Sequence, residues 1–522
     1  MPKKSNYWIQ RALERSRADI RSADEVVKTI NDAFYNCLKE IEKEISVLYY
    51  RYAEDNELDY DLANKLLTGD EYKSFRMGLE EYMDLIDSPE IQLELNTLST
   101  RSRISHLEET FFNIQKQIDK AYIYQHEAVE SLMKESIQTN YHRVIFDIGV
   151  ATGESVIKDF HKLTIGEIVK EFERPWSGKN FSERIWKNRA KLKDALEEEI
   201  VKMAISGADC TQAIESVAKK MDVSKRAAAT LVHTEQAYFS SLGTLKAYSE
   251  MGVDEYIYVA TLDLRTSDIC RDLDHEVFSI KDAQAGVNYP PMHPRCRSTT
   301  APYTGALEGT RTARDMFNNE VNEVKVDKSL NYKEWHKKYV ESDPKYLIEE
   351  KKWKNRHSDK EQHERYKSAG VEVPEKFDKY QDLKYNGSER DKRLRSIDYT
   401  RRMKLKNNPE LKLPNVDTAT IDKNKFEKYL FAGENEKGLN KGRLIEEKLG
   451  YSIDNYDKFK REILLRARDY PATFKGTTPH GKRYEQQIIF YNKNKEPVNV
   501  LVAWIESDGK THMTTAYITE VK

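Results

Sequence analysis

Residues 224–252 read SKRAAATLVHTEQAYFSSLGTLKAYSEMG, and residues 256–262 follow with YIYVATL. The first stretch spaces its apolar residues by three and four and stops at Gly252, as a helix with a glycine C-cap does. The second alternates and is rich in β-branched and aromatic residues, which reads as a strand. Downstream, RSTTAPYT (297–304) suits a returning partner strand. Residues from about 160 to 305 therefore read as a small α+β domain, its strands joined through a long loop.

That loop holds two of the four cysteines in this 522-residue chain. TLDLRTSDICRDLDHEVF (261–278) supplies Cys270 and His275, and PPMHPRC (290–296) supplies His293 and Cys296. Zinc takes about four thiolate or imidazole ligands, usually from closely spaced pairs, and His293-x-x-Cys296 with Cys270-x4-His275 offers such a set for a structural zinc. A packed, metal-free loop is the competing reading. A hydrolytic zinc is the third, with Asp274 or Glu276 as its general base.

Upstream, AFYNCLKEIEKEISVLYYRYA (33–53) lays Phe34, Leu38, Ile41, Ile45 and Leu48 along one face, and a second long helix begins near 102. DCTQAIESVAKKM (209–221) reads as a helix separate from the one after it. Residues 1–155 are thus expected to form an elongated helical bundle, and 156–305 the α+β domain. Residues 306–412 read as a highly charged helical linker. In 413–522, two helices precede three antiparallel strands. The fold class is multidomain and mainly α, with a C-terminal α+β domain.

Charge is segregated. Residues 1–170 hold 22 Lys+Arg against 31 Asp+Glu, net −9, and residues 401–522 hold 24 against 17, net +7. The whole chain is close to neutral at −2, so no global field draws it to nucleic acid or membrane. Hydrophobic content of 39% and charged content of 33% favour long solvated helices. The N-terminal residues lack the apolar core of a secretory signal, and no apolar run is long enough to span a membrane. With no disulfide framework, synthesis in a reducing cytoplasm is expected. Phosphate-binding loops, dinucleotide fingerprints, HExxH and GxSxG are missing from the sequence.

Thr234-Glu235, Ala260-Thr261, Asp263, Arg265-Thr266, Cys270, Leu273-Asp274 and the run from Pro290 to Arg297 together resemble the signature of the phage head morphogenesis family named after the F protein of phage Mu. Many members carry a further cysteine where this chain has Ser298 or Ser267-Asp268. YWIQR (7–11) and PWSGKNFSERIW (175–186) are similar to minor head proteins of tailed phages of Gram-positive bacteria. The resemblance, over residues from about 5 to 350, implies a portal-associated minor capsid protein in the virion, at the capsid interior or portal vertex. It further implies scaffold or major capsid protein as partners, and phage DNA where such proteins accompany it during delivery.

PNVDTATIDKNKFEKYLFAGENEKG (414–438), VLVAWIE (500–506) and MTTAYITE (513–520) resemble a small domain of unknown function found at the C-termini of polymorphic toxins. Helices followed by an antiparallel sheet are also the topology of several ribonuclease toxins. Metal-independent RNA cleavage needs a base, an acid and a cation at the phosphate. His480, Lys482, Arg483 and Thr515 are the candidates, with Lys475, His512, Thr514 and Tyr517 expected to face them. RNA and an immunity protein would then be partners of this domain. The alternative is a purely structural virion protein whose C-terminal domain is a non-enzymatic interaction module.

Overall fold

The computed structural model describes residues 5–54, 57–153, 163–206, 208–305, 307, 309–316 and 322–521. The chain divides into two compact units, Met1–Asp343 and Pro344–Lys522. The expected domain boundary at 155–156 lies outside the described residues.

Three long helices build the first unit: α1 (Ser5–Tyr52), then α2 (His106–Thr152), then, after α3 (Phe181–Ser206), α4 (Cys210–Glu250). The stripe read from α1 faces inward, with Phe34, Ile41, Ile45 and Leu48 all buried. Helix α2 begins in a capping box: Glu108 N–H donates to Ser105 Oγ at 3.2 Å, and Ser105 N–H to Glu108 Oε2 at 2.8 Å. It ends at Gly153, whose φ of 72° suits glycine. One core contains Phe34 and Ile118 together with Leu196 and Phe239. The expected helical bundle and the α+β region thus share a core.

Helix α4 runs unbroken from Cys210, joining the two helices expected over 209–252. No glycine or proline lies between Met221 and Ser224 to stop it, and Val223 there is simply exposed. A buried pair braces α3 against α2: Arg189 Nε donates to Asp119 Oδ1 at 2.6 Å, and the Tyr82 hydroxyl to Asp119 Oδ2 at 3.0 Å.

After α4 comes a three-stranded antiparallel sheet. Its central strand β1 (Glu255–Val259) lies between β2 (Val277–Ser279) and β3 (Thr299–Pro302). The strand and its returning partner fall where the sequence indicated. Beyond residue 305, where charged helix was expected at once, a hairpin comes first: β4 (Thr310–Asp315) pairs antiparallel with β5 (Asn322–Asp327).

The second unit opens with charged helices, including α5 (Arg356–Ser368), α6 (Phe377–Asn386) and α7 (Glu389–Asn407). They are helical as read, but they are not a tether: 344–411 belongs to the same compact unit as the sheet. The fully buried Asp359 accepts from Lys384 Nζ at 2.6 Å, Gln381 Nε2 at 2.8 Å and the Tyr385 hydroxyl at 3.0 Å, pinning α5 to α6. Then come α8 (Glu436–Leu449), α9 (Tyr456–Arg466) and a four-stranded antiparallel sheet: β6 (Ala472–Thr478), β7 (Gly481–Tyr491), β8 (Pro497–Ser507) and β9 (Lys510–Ile518), in the order β9-β8-β7-β6. Sequence periodicity gave three of these strands and missed β6, whose residues are mostly exposed.

Candidate metal centre

Strand β1 places Tyr258 under the loop, buried among apolar neighbours. A short helix, Asp268–Leu273, turns Cys270 inward to 1% exposure, and the 290–297 loop returns Cys296 beside it. Cys270 Sγ lies 3.8 Å from Cys296 Sγ and 3.4 Å from His293 Nε2, and the three ligand atoms all fall within 4.8 Å of one another. Two sulfurs about 2.3 Å from one tetrahedral zinc sit about 3.8 Å apart, and a sulfur and an imidazole nitrogen about 3.5 Å. The donor set therefore fits zinc in chemistry and in spacing.

Hydrogen bonds prepare the set. His293 Nδ1 lies 2.8 Å from the Pro294 carbonyl, which can only accept, so the proton sits on Nδ1 and the Nε2 lone pair faces the sulfurs. The Tyr258 hydroxyl donates to Cys270 Sγ at 3.3 Å. The hydrogen bond from Cys296 to the Cys270 sulfur holds that thiol below the ordinary thiol range, and Cys296 is pushed up in return.

His275 is not part of the cluster. Its backbone, at φ 72°, turns the ring onto Arg311, whose Nη1 lies 2.7 Å from His275 Nε2. The expected fourth ligand is thereby corrected, which leaves Cys270, His293 and Cys296 as three candidate ligands against the four that tetrahedral zinc takes. The two candidate bases of the hydrolytic reading are placed elsewhere too. Both Asp274 oxygens are engaged by Arg311, at 2.9 and 3.1 Å, and Glu276 is exposed.

Arg311 was invisible to motif reading, because it lies in the hairpin beyond the expected domain. It is fully buried, bridging Asp274 and the Ala260 carbonyl, while Ala260 N–H donates to Asp274 Oδ1 at 2.7 Å. The other motif residues hold the loop. Arg297 is ion-paired with buried Asp263, where burial opposes the carboxylate but Arg297 outweighs it and holds the pKa below the ordinary value. Thr234 Oγ1 accepts from Arg295 N–H at 3.1 Å, and Glu235 accepts from the Trp176 indole at 3.0 Å.

In the second unit, the candidate catalytic residues are not gathered. His480 is exposed in the β6–β7 turn, and Lys482 and Arg483, as neighbours on a strand, point to opposite faces. Lys482 is opposite Glu506, whereas Thr515 is opposite Ala503, which is opposite Glu485. Thr515 is thus three positions along and two strands across from Lys482, roughly 14 Å away by strand geometry. Lys475 is spoken for by Glu485 at 3.3 Å. Thr515 instead accepts from Lys441 Nζ at 3.2 Å, and that ammonium also lies over the Tyr517 ring.

No described helix is long and apolar enough to cross a membrane. No curated protein and no solved structure matches the chain. Two family matches cover separate segments. Residues 412–520 match the family described as Domain of unknown function (DUF6883). Residues 193–301, which include Thr234, Glu235 and all three ligand candidates, match the family described as Phage Mu protein F like protein, so the chain carries a Phage Mu F-like domain.

Proposed function

We propose that this chain is a minor head protein of a tailed phage or prophage, acting at the portal during head assembly, with its Mu F-like domain pinned by a structural zinc. The observation that carries the reading is the convergence of the matched domain's motif residues on one centre, Cys270, His293 and Cys296. Bound zinc would be held by these three residues and would supply folding free energy to the 290–297 loop. The motif residues around it serve geometry: the carboxylates of Asp263 and Asp274 are engaged by Arg297 and Arg311.

Metal analysis of the purified full chain is expected to give about one zinc per chain, and Cys296→Ser to lose it and melt earlier. Absence of zinc, with unchanged melting of the variant, sinks the metal reading. Heads assembled with and without the protein test the role itself. The chain should be recovered with the portal, and a chain excluded from finished heads removes the head assignment.

For the C-terminal unit, the distance of Thr515 from Lys482 and the opposed faces of Lys482 and Arg483 favour the interaction module over a ribonuclease built on those residues with His480. Expression of residues 344–522 in a bacterium separates the two readings. Unaffected growth supports the module, and growth arrest with fragmented RNA restores the toxin reading, with an immunity protein as its partner.

A further inference from the structure

Between α3 and α4 lies an open cleft of about 630 Å³, all of it in the first unit, with Pro294 of the metal loop in its wall. Residues 171–250 contain 13 Lys+Arg and 12 Asp+Glu, yet the cleft receives only cations: Lys179, Arg184, Lys187, Lys191 and Arg226 line it, and no acidic residue does. Among the described residues, none of the five has a carboxylate within 4.0 Å, although ion pairs are common elsewhere on these helices, as between Lys193 and Glu94. A sixth cation, Arg295, reaches Thr230 of the cleft wall, its Nε donating to Thr230 Oγ1 at 3.0 Å.

We propose that this cleft binds the phosphodiester backbone of nucleic acid. Arg184, Lys187 and Lys191 stand on one face of α3 at helical spacings, a row about 10 Å long, which is about three nucleotide rises of a single strand. Arg226 faces them from α4, and Asn188 and Ser177 add neutral donors suited to phosphate oxygens. Val223, Ala227 and Leu231, four residues apart on α4, add an apolar strip to the lining, suited to sugar faces. Neutral donors and an apolar strip fit a phosphodiester chain better than a run of carboxylates. Such contacts are blind to sequence, so the cleft should hold any nucleic acid, through released counterions. The metal loop, by fixing Arg295 through Thr230 and Thr234, completes one wall.

The biological ligand, packaged DNA, rests on the head-protein reading, but the binding itself does not. The full chain is titrated against a labelled single strand of about 20 nucleotides over a range of salt. Five cations predict a log–log slope near −3.5, and Lys187→Ala/Lys191→Ala/Arg226→Ala should cut it by about 2 and weaken binding at least tenfold. These three side chains are exposed, so the fold should survive, which circular dichroism checks. The control Lys404→Ala/Lys406→Ala, in the last turn of α7 in the second unit, should leave the slope unchanged. A wild-type slope shallower than about −1, a triple variant that titrates like wild type, or loss of binding in the control overturns the inference. So does equal displacement by polyglutamate, which would assign the cleft to an acidic protein segment. A chain recovered in heads that fails to bind the strand overturns this inference alone.

Discussion

Glu235 is 1% exposed, with one oxygen on the Trp176 indole and the other, Oε1, without a hydrogen bond. Burial raises its pKa, outweighing the Trp176 hydrogen bond and the Arg184 charge that favour the anion. The folded state therefore keeps the proton to higher pH than the unfolded chain. Stability from that proton is fully present below the ordinary value of 4.5 and is lost as pH rises through the folded value. Near neutrality keeping this carboxyl buried is a cost. Glu235→Gln, which keeps an acceptor for Trp176, is expected to stabilise the first unit by about 1 kcal/mol near pH 7 and to change little near pH 4, read by thermal melts at both. Equal effects at the two pH values would remove the titration argument. Sequence alone marked Glu235 as part of a motif, since Thr-Glu is legible as a pattern. Its burial was not legible, because Trp176 arrives from 59 positions away. His275 shows the converse. Its spacing to Cys270 suited a ligand, but a left-handed backbone angle and a distant arginine, neither encoded locally, turned the ring aside.

Helices and strands were legible where periodicity is long and one-sided, and less so where tertiary contacts set the boundary. A close approach of α4 to α2 at Gly243 is one such contact. A Cβ added at Gly243 would lie 2.3 Å from the Ile137 carbonyl oxygen, on helix backbone that cannot yield cheaply. Gly243→Ala should therefore cost about 2–4 kcal/mol despite alanine's better helix propensity, by denaturant unfolding. A stabilised variant would mean the helices are farther apart than this. The β4–β5 hairpin is the second contact. Its Arg311 is buried against Asp274, so Arg311→Met leaves an unpaired buried carboxylate and is expected to cost about 3–5 kcal/mol, whereas Arg311→Met/Asp274→Asn should recover most of that. A double variant no better than the single would show that the arginine acts through packing. Nothing in the residues before 305 foretells this, because a charged hairpin reads as solvated until its partner is known.

The whole chain was expected to loosen from 306 to 412, because charge and turn residues dominate there and apolar anchors are few. The reading of composition was sound; the inference that the segment lacks an anchor was not, because the anchor is polar. Asp398 of α7 is fully buried and accepts from the Tyr470 and Tyr491 hydroxyls, the latter at 2.6 Å, while Arg402 Nε donates to it at 2.8 Å. Burial first, and then the Asp398 charge, raise both tyrosine pKa values, so the hydroxyls remain donors throughout the neutral range. Arg401 adds hydrogen bonds to the Gln487 carbonyl at 3.1 Å and to the Gln487 and Asn499 side chains. Helix α7 is thus a structural part of the sheet domain, although the matched family segment begins only at residue 412. Residues 344–522 should fold alone and unfold in one cooperative transition. Residues 412–522 should be strongly destabilised, since the Tyr491 hydroxyl loses its Asp398 acceptor at about 1–3 kcal/mol, the Tyr470 hydroxyl is left with the Ile489 carbonyl at 3.3 Å, and the face under α7 is exposed. Within 344–522, Asp398→Ala should reproduce most of that loss, whereas Asp398→Asn, which keeps an acceptor, should recover part of it. Cooperative unfolding of 412–522 at the same denaturant midpoint as 344–522 would return α7 to the status of a tether.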